Sequence, residues 1–447
     1  MHVTHHSDAN IPLFASRVCA YLDGVTKRVC EPAWREMMST QLKTAEQADP
    51  HATQPLPEWV RNAPRFCEDP AATARGLRSV IEEEAAECER IQCLTPRVQR
   101  ALIESGIYGT LIPKEFGGCQ ADPQTYIDVV EELAYADGAI AWTVMASGFA
   151  AANAAIWLGP KAVKAMFEDG EGFIAAGQVA PTGKAERVEG GYRISGKFQF
   201  ASGSELASWF LGAYILQEEG KPALSAEGKP QIMIAFAPRA KVRIMRDSWN
   251  VAGLAATGSY DYEVTDQIVD DDFVMVPAQR QHRGGASYDI GVSIGHVAWA
   301  LGVAKRALDE IQALATRKKR VGRITLIDQP TFQRDFAMAK GQLEASRAYV
   351  RSVYRDWLAA AEKQEGDIEA HALGRLAACW ATKTCTEIGQ FAFLASGSDG
   401  LRNADDNRLQ RCFRDLHAGA PHRHVDDNVL LDAATVVLGV NKPGLDL

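Results

Sequence analysis

The sequence lacks several patterns that mark common classes of protein. None of its nine cysteines forms a Cys-x-x-Cys pair, which argues against a zinc knuckle or a dithiol redox motif. The odd number of cysteines fits a reducing compartment. No run of about 18 apolar residues predicts a membrane-spanning helix, and the opening MHVTHHSDANIPLF lacks the pattern of a secretory signal. We therefore expect a cytoplasmic protein that is not bound to a membrane.

Positive charge is also scarce. The formal net charge is −9, which gives no support to binding of nucleic acid or of an anionic membrane. The densest basic run, Arg317–Arg320, is either a solvated helix end or a phosphate clamp. No histidine and cysteine spacing predicts a metal site. What is present, 447 residues of which 47% are hydrophobic, predicts a globular enzyme of roughly two to three domains.

Hydrophobic periodicity divides the chain into four parts. Residues 1–75 are an extension, with helical spacing over Ile11–Trp34. A helical period runs through 76–170 and includes the Ala- and Gly-rich stretch Ala139–Leu158, which we interpret as a buried helix. Alternation and turn residues in 171–280 predict strands. The helical period returns in 281–447, so the fold class is mainly α with a central β domain.

A histidine-rich stretch, FRDLHAGAPHRHVDD, occupies Phe413–Asp427. It contains three of the ten histidines and an acidic pair: His417, His422, His424, Asp426 and Asp427. On a helix His422 and Asp426 share a face, and a carboxylate beside a histidine holds the imidazole pKa near neutrality. Pro421 would kink that helix. The stretch is either a catalytic site or a solvated helix end.

Four segments, in order along the chain, resemble motifs of the acyl-CoA dehydrogenase family. They are LIPKEFGG (Leu111–Gly118), GGYRISGKFQFASGSELASWFL (Gly190–Leu211), the segment Trp249–Pro277 with TGSYDYEVTDQIVDDDFVMVP, and LQRCFRDLHA (Leu409–Ala418). The resemblance implies an N-terminal helical domain, a middle β-barrel domain and a C-terminal four-helix bundle. It also implies a homotetramer.

The catalytic glutamate of acyl-CoA dehydrogenases is missing. In the commonest subgroup it lies eight residues after the aspartate of the Arg-Asp motif, here Asp415, and that position is Arg423. A second subgroup carries the glutamate in the first helix after the β domain, but Ser287–Ala304 contains only Asp289 as an acid. Removal of an α-proton from an acyl-CoA is therefore not expected.

The chain resembles instead the flavin-dependent monooxygenases of the same fold, such as p-hydroxyphenylacetate hydroxylase, dibenzothiophene monooxygenase and the nitrososynthases. A histidine, His422, lies seven residues after Asp415. The strand has the W-x-F-A-S-G form with Phe198 in the tryptophan position, and Trp142 lies in a segment typical of that branch. The resemblance implies that a separate reductase supplies reduced FMN or FAD by diffusion. With O₂ the flavin would form a C4a-hydroperoxide that hydroxylates or N-oxygenates a small aromatic or amine substrate.

The resemblance also implies roles for individual residues. His422, or alternatively His424, would deprotonate or orient the substrate, and Ser202 would form a hydrogen bond near flavin N5. Further flavin contacts are expected at Gln178, Gly203, Thr257 and Ser259 and, across a subunit interface, at Arg317, Ser398 and Gly400.

Two other functions stay open on the sequence. One is an FAD-dependent oxidase or dehydrogenase acting on a non-thioester substrate, with Asp289 or His296 as the base. The other is a non-catalytic relative that keeps the fold. Asp415 is expected to form a structural ion pair with Arg414 under any of these functions.

Overall fold

The computed structural model describes residues 53, 55–226, 228–275, 283–285, 293–319, 322–363, 368–402 and 407–440. The predicted helix Ile11–Trp34 and the candidate base Asp289 lie outside these residues.

The N-terminal part that the structure describes consists of six helices, four of which begin at a side-chain cap. They are α1 (Glu58–Arg61), α2 (Pro70–Ile91), α3 (Pro96–Glu104), α4 (Pro123–Ala136), α5 (Gly138–Trp157) and α6 (Pro160–Phe167). The Asp122 carboxylate accepts hydrogen bonds from the first free amides of α4. Asp137 then ends α4 and caps α5 in the same way, because one residue in extended conformation separates the two helices. The predicted helices of this part are confirmed.

Helix α5 is the apolar helix that the sequence predicts to be buried. It is long and apolar enough to cross a membrane, but 83% of its most apolar 18-residue window is buried inside the protein. It packs against α4, against the sheet and against the C-terminal helices. This helix therefore forms a large part of the hydrophobic core of the described residues.

The middle part is one eight-stranded sheet. Its strands are β1 (Ala175–Val188), β2 (Gly191–Ala201), β3 (Trp209–Glu218), β4 (Lys221–Pro222), β5 (Ile232–Pro238), β6 (Val242–Met245), β7 (Tyr260–Val269) and β8 (Val274–Met275). The order is β6-β7-β2-β1-β3-β5-β8, with β4 beside β3, and among these described strands only the β1–β3 pair is parallel. This hydrogen-bonded path has two ends, β6 and β8. Phe198, Phe210, Tyr214 and Tyr262 fill a core between its faces.

The C-terminal part is helical, as predicted. It contains α7 (Ser293–Arg317), α8 (Pro330–Glu362), α9 (Ile368–Ser396), α10 (Arg408–Gly419) and α11 (Asp427–Val437). Helix α7 packs against α4 and α5 as well as α8, α9 and α10, so it joins the two helical parts. The order of helices, strands and helices confirms the predicted fold class. The predicted domain boundaries remain a prediction.

One local prediction is wrong. Residues 420–426, with His422 and His424, form a turn between α10 and α11 rather than a kinked helix. Asp426 therefore does not share a helix face with His422. Its carboxylate caps α11 by accepting hydrogen bonds from the amides of Asn428 and Val429. One reason is that Pro421, together with Gly419, ends α10. The other is that aspartate is favoured at the N-cap of a helix over its interior, so Asp426 begins α11.

Candidate active site

A bulge near the end of β2 exposes an aromatic ring. The register with β7 shifts between Phe198 and Ala201. Phe200, inside this bulge, has a φ of 61°, which a non-glycine residue adopts only at a cost. Its side chain is 58% exposed, and its ring lies 6.3 Å from that of Trp249. By contrast Phe198 belongs to the sheet core. A strained, exposed aromatic residue is typical of a ligand-binding surface.

A chain of hydrogen bonds begins beside this bulge. The Trp142 indole donates to the Ser202 hydroxyl at 3.2 Å. Ser202 Oγ lies 2.8 Å from Ser259 Oγ, which lies 2.6 Å from Thr257 Oγ1. Thr257 donates to the Leu254 carbonyl at 2.8 Å. All three hydroxyl groups are buried. The structure thus brings together Ser202, Thr257 and Ser259, three residues that the sequence singles out.

The two ends of the chain fix its direction. An indole N–H only donates and a carbonyl only accepts, so each hydroxyl donates to the next one towards Leu254. Ser202 Oγ therefore uses its proton on Ser259 and one lone pair on Trp142. Its second lone pair is available to a ligand. Ser202 is consequently a hydrogen-bond acceptor at this site.

Three aromatic side chains surround the Trp142 ring. The ring centroids of Trp299, His296 and His422 lie 5.0, 5.3 and 5.4 Å from that of Trp142, all in edge-on orientation. Gly419, the last residue of α10, lies against these rings. A Cβ there would stand 2.4 Å from Trp299, so glycine is the residue that permits the close approach. Trp142 thus joins Ser202 to His422.

His296 is buried, and both of its ring nitrogens have partners. Nε2 lies 3.0 Å from the Gly419 carbonyl and must therefore carry the proton. Nδ1 then accepts from the Thr382 hydroxyl at 3.4 Å. Burial, with the neighbouring His422, lowers the pKa of His296 to about 3. The one lone pair of the His296 ring is consequently engaged by Thr382, and the low pKa makes it a weak base.

His422 presents one ring nitrogen to the site. Nδ1 accepts a hydrogen bond from the His424 amide at 3.4 Å, which favours the tautomer protonated on Nε2. Burial, together with the Arg423 guanidinium, lowers the pKa of His422 to about 4 against the opposing charge of Asp426. The ring is therefore neutral at pH 7. In this state it donates a hydrogen bond through Nε2.

His424 lies behind His422 and not beside Trp142. Its ring centroid is 5.1 Å from that of His422. Burial, with the neighbouring His422, lowers the pKa of His424 to about 3. Between the two histidines, Arg423 donates to the Val179 carbonyl of β1 at 3.2 Å and so connects the turn to the sheet. Of the two histidines, His422 is the one in contact with the Ser202 chain through Trp142.

The cluster of Trp142, Ser202, His296 and His422 is called the histidine cleft, and Gln178 and Gly203 adjoin it. Gln178 is half-buried, and its amide N–H donates to the Tyr262 hydroxyl at 3.2 Å, just before a register shift in β1. It precedes Val179, the residue that Arg423 contacts. Gly203 has a φ of 79°, and a Cβ there would stand 2.5 Å from the Ser147 hydroxyl. Its amide donates to the Thr257 carbonyl.

Asp415 has a partner other than the one expected. Its carboxylate accepts a hydrogen bond from the Leu254 amide at 2.6 Å. Leu254 has a φ of 56°, so Asp415 stabilises a strained residue at the end of the hydroxyl chain. Arg414 forms its ion pair with Glu89 instead. Burial and the neighbouring carboxylate of Asp137 raise the pKa of Asp415.

The remaining predicted residues, Arg317, Ser398 and Gly400, line a different pocket. This surface pocket of about 630 Å³ lies where α7 ends and α10 begins. Lys318 and Arg408 also line it, and Lys318 Nζ lies 2.5 Å from the Asp399 carboxylate. The Lys318 ammonium lowers the pKa of Asp399. The predicted site residues therefore fall into two groups, the histidine cleft and this basic pocket.

Sequence reasoning missed three side chains of the cleft as site residues: Trp142, Trp299 and Thr382. Trp142 has a signal in the sequence, because it lies in a segment typical of the monooxygenase branch. Trp299 and Thr382 have none, since their neighbours in space are far away in the chain. In the part of the chain that the structure describes, no group of three or more His, Cys, Asp or Glu side chains has an arrangement that could hold a metal ion.

Comparison with known families gives two matches. The profile of the acyl-CoA dehydrogenase N-terminal domain matches residues 71–167, and that of the acyl-CoA dehydrogenase C-terminal domain matches residues 294–427. Together the two profiles cover more than half of the chain.

Individual proteins are similar over most of their length. An indole-3-acetate monooxygenase of Pseudomonas putida is 27% identical over 79% of this chain and 89% of its own. The oxygenase subunit HsaA of a flavin-dependent monooxygenase from Rhodococcus jostii is 27% identical over 83% and 97%. The solved structure of XiaF from Streptomyces, in complex with FADH2 and glycerol, superposes with a TM-score of 0.75. It is 20% identical, over 85% of this chain and 97% of that one.

Proposed function

Since the chain belongs to the acyl-CoA dehydrogenase family and is a flavin-dependent monooxygenase, we propose that its cleft oxygenates an aromatic substrate. One observation supports oxygenation over dehydrogenation. Arg423 occupies the position of the family's carboxylate base, and its guanidinium is bound to the Val179 carbonyl. The pKa of the neighbouring His422 is lowered to about 4, so its imidazole is a weak base for removing an α-proton from an acyl thioester.

The cleft fits a reduced isoalloxazine ring. Phe200 offers an exposed aromatic face, Gln178 an amide that both donates and accepts, and Ser202 an acceptor. Reduced flavin carries a proton on N5 and oxidised flavin does not, so an accepting Ser202 favours the reduced form. When bound, reduced flavin supplies the electrons that activate O₂. Trp142 holds Ser202 in place, and the buried rings around it exclude water.

His422 orients the substrate in this proposal. Its Nε2–H donates to an oxygen or nitrogen substituent of the aromatic ring, and the low pKa keeps the imidazole neutral across the physiological range. Curated relatives carry names that include indole-3-acetate monooxygenase and resorcinol hydroxylase. These two aromatic compounds are therefore the first substrates to test.

The basic pocket of Arg317 has a role in the proposal if the flavin is FAD. An anion-binding pocket apart from the histidine cleft is useful to a dinucleotide, and the Arg317 guanidinium suits the diphosphate of FAD. The pocket would serve the flavin of a neighbouring subunit in a homotetramer. Arg317→Glu should weaken binding of reduced FAD and leave reduced FMN unaffected. Equal affinities of the variant and the wild type for reduced FAD would reject this assignment.

A separate flavin reductase is the partner that the proposal requires. Relatives named as oxygenase subunits or components support it. The test is oxygen uptake by the purified protein with NADH, flavin and resorcinol or indole-3-acetate, with and without an added reductase. We expect hydroxylated product only when the reductase is present. Direct anaerobic reduction of a protein-bound flavin by either compound would contradict the proposal.

A further inference from the structure

Two cysteines far apart in the sequence meet on the surface of the N-terminal helical part. The Sγ atoms of Cys67 and Cys119 lie 3.5 Å apart, although 52 residues separate them in the chain. Both side chains are half-buried and therefore reach solvent. The Cys119 sulfur also accepts a hydrogen bond from the Cys67 amide at 3.3 Å. A disulfide needs sulfurs about 2.0 Å apart, so small side-chain rotations would close the bond.

The backbone around the pair is tightly packed, so the contact does not depend on flexible side chains alone. A Cβ at Gly109 would stand 1.7 Å from the Arg65 carbonyl oxygen, and one at Gly106 would stand 2.5 Å from that of Phe66. Only glycines allow the segment 65–67 to lie this close to the loop. The Cys119 amide in turn donates to the Gly109 carbonyl at 3.0 Å. Both cysteines are thus held by the fold.

The two thiols are chemically unequal. The Cys119 sulfur accepts from the Cys67 amide and lies 3.5 Å from the Cys67 sulfur, and hydrogen bonding to Cys67 lowers the pKa of Cys119 to about 7. The same hydrogen bond, with burial, raises the pKa of Cys67. A partly ionised thiolate next to a protonated thiol is the usual arrangement of an attacking and a resolving cysteine.

We propose that Cys67 and Cys119 are a redox-active thiol pair that hydrogen peroxide converts into a disulfide. The Cys119 thiolate attacks one oxygen of the peroxide, the O–O bond breaks, and hydroxide leaves to become water. The Cys67 sulfur then attacks the sulfenic acid on Cys119, the S–S bond forms, and the S–O bond breaks. A second water leaves with the proton of Cys67. Two thiols lose two electrons and two protons, and one peroxide becomes two waters.

Peroxide has a source close to this protein. Flavin oxygenation releases hydrogen peroxide whenever oxygen reduction is not coupled to a substrate, so the pair would respond to uncoupled turnover of the enzyme or of its reductase. That source depends on the proposed function, whereas the chemistry of the pair does not. Closing the bond would attach residues 65–67 covalently to the loop that carries Phe116, which stacks on Phe167 of α6.

The test is a peptide map of the folded wild-type protein after treatment with hydrogen peroxide and alkylation. Tryptic digestion should yield a peptide in which residues 66–75 are linked to residues 115–161, lighter by about 2 Da than the two reduced peptides combined. Dithiothreitol should release it. The linked peptide should be absent from Cys67→Ser and Cys119→Ser and present in Cys93→Ser, whose thiol lies elsewhere.

A second measurement separates mechanism from folding defects. In Cys67→Ser, which lacks the resolving thiol, dimedone should label residue 119 after brief peroxide treatment. Oxidation of wild type should also raise the thermal midpoint, and reduction should reverse the rise. Peroxide-treated, folded wild type that gives unlinked or over-oxidised peptides would overturn the proposal. Neither readout uses monooxygenase activity. A failure of the thiol-pair proposal can therefore be told apart from a failure of the proposed function.

Discussion

At the scale of single residues, the position of His422 is the most direct consequence of the fold. It lies against Trp142, and Trp142 donates to Ser202, so three residues from three separate segments act on one cleft. Their proximity has a physical cause. Gly419 lets the end of α10 approach the tryptophans, and Pro421 ends the helix just before the histidine.

We expect His422→Ala to bind reduced flavin normally but to form at least about 100-fold less product, because the hydrogen bond that orients the substrate is lost. The consumed oxygen should appear as hydrogen peroxide. The matched control is His417→Ala, an exposed histidine of the same stretch. If His422→Ala still couples oxygen consumption to product formation and His424→Ala does not, the orienting role belongs to His424.

Ser202→Ala removes the acceptor and interrupts the hydroxyl chain. We expect weaker binding of reduced flavin and a larger share of oxygen released as peroxide, since both Trp142 and Ser259 lose a partner. Ser204→Ala is the control, because that buried hydroxyl bonds to the Ala201 carbonyl outside the chain. If both variants couple oxygen to product as the wild type does, Ser202 has no role at the flavin.

At the scale of elements, the sequence predicts helices and their ends better than it predicts contacts between distant side chains. The ends of α4 follow from Asp122, Pro123 and Asp137, which are local signals. At 420–426 the spacing of His422 and Asp426 suits a helix, and nothing local shows that Asp426 instead caps the next one. Contacts such as Cys67 with Cys119 leave no pattern in the sequence, since both partners are ordinary where they stand.

The loop that ends the hydroxyl chain depends on a residue of α10. Asp415→Ala should destabilise the protein by about 1–3 kcal/mol, because the buried Leu254 amide loses its acceptor. Asp415→Asn keeps an acceptor and should be much less destabilising. Chemical denaturation of both variants measures the difference. Equal losses in the two variants would mean that the Leu254 hydrogen bond contributes little.

The stability difference between Asp415→Asn and the wild type should depend on pH. Burial and Asp137 raise the pKa of Asp415 in the folded state, so the folded protein holds a proton that the unfolded chain releases above about pH 4. The stability that this group contributes is lost as the pH rises through its folded pKa. Asparagine does not titrate. The stability of Asp415→Asn relative to wild type should therefore increase from pH 5 to pH 8.

At the scale of the whole molecule, the burial of three histidines makes the free energy of unfolding depend on pH in acid. Burial is the first cause that lowers the pKa of His296, His422 and His424. Below about pH 6.5 the unfolded chain binds protons that these folded residues do not, so the free energy of unfolding decreases as the pH falls. Each histidine contributes at most about 1.4 kcal/mol per pH unit.

His422→Gln removes one of these titrating groups. Its free energy of unfolding should therefore fall less steeply than that of wild type between pH 6.5 and pH 5. Urea denaturation at several pH values measures both slopes. Parallel curves for wild type and His422→Gln would show that His422 titrates normally in the folded protein.

The most direct test of the central claim is a single turnover with ¹⁸O₂. Photoreduced FAD or FMN is mixed anaerobically with the protein and with resorcinol or indole-3-acetate, without any reductase, and then exposed to labelled oxygen. We expect the wild-type protein to form a product that carries one ¹⁸O atom, and His422→Ala to form no such product. A product without label, or a substrate that reduces the flavin before oxygen is added, would contradict the central claim.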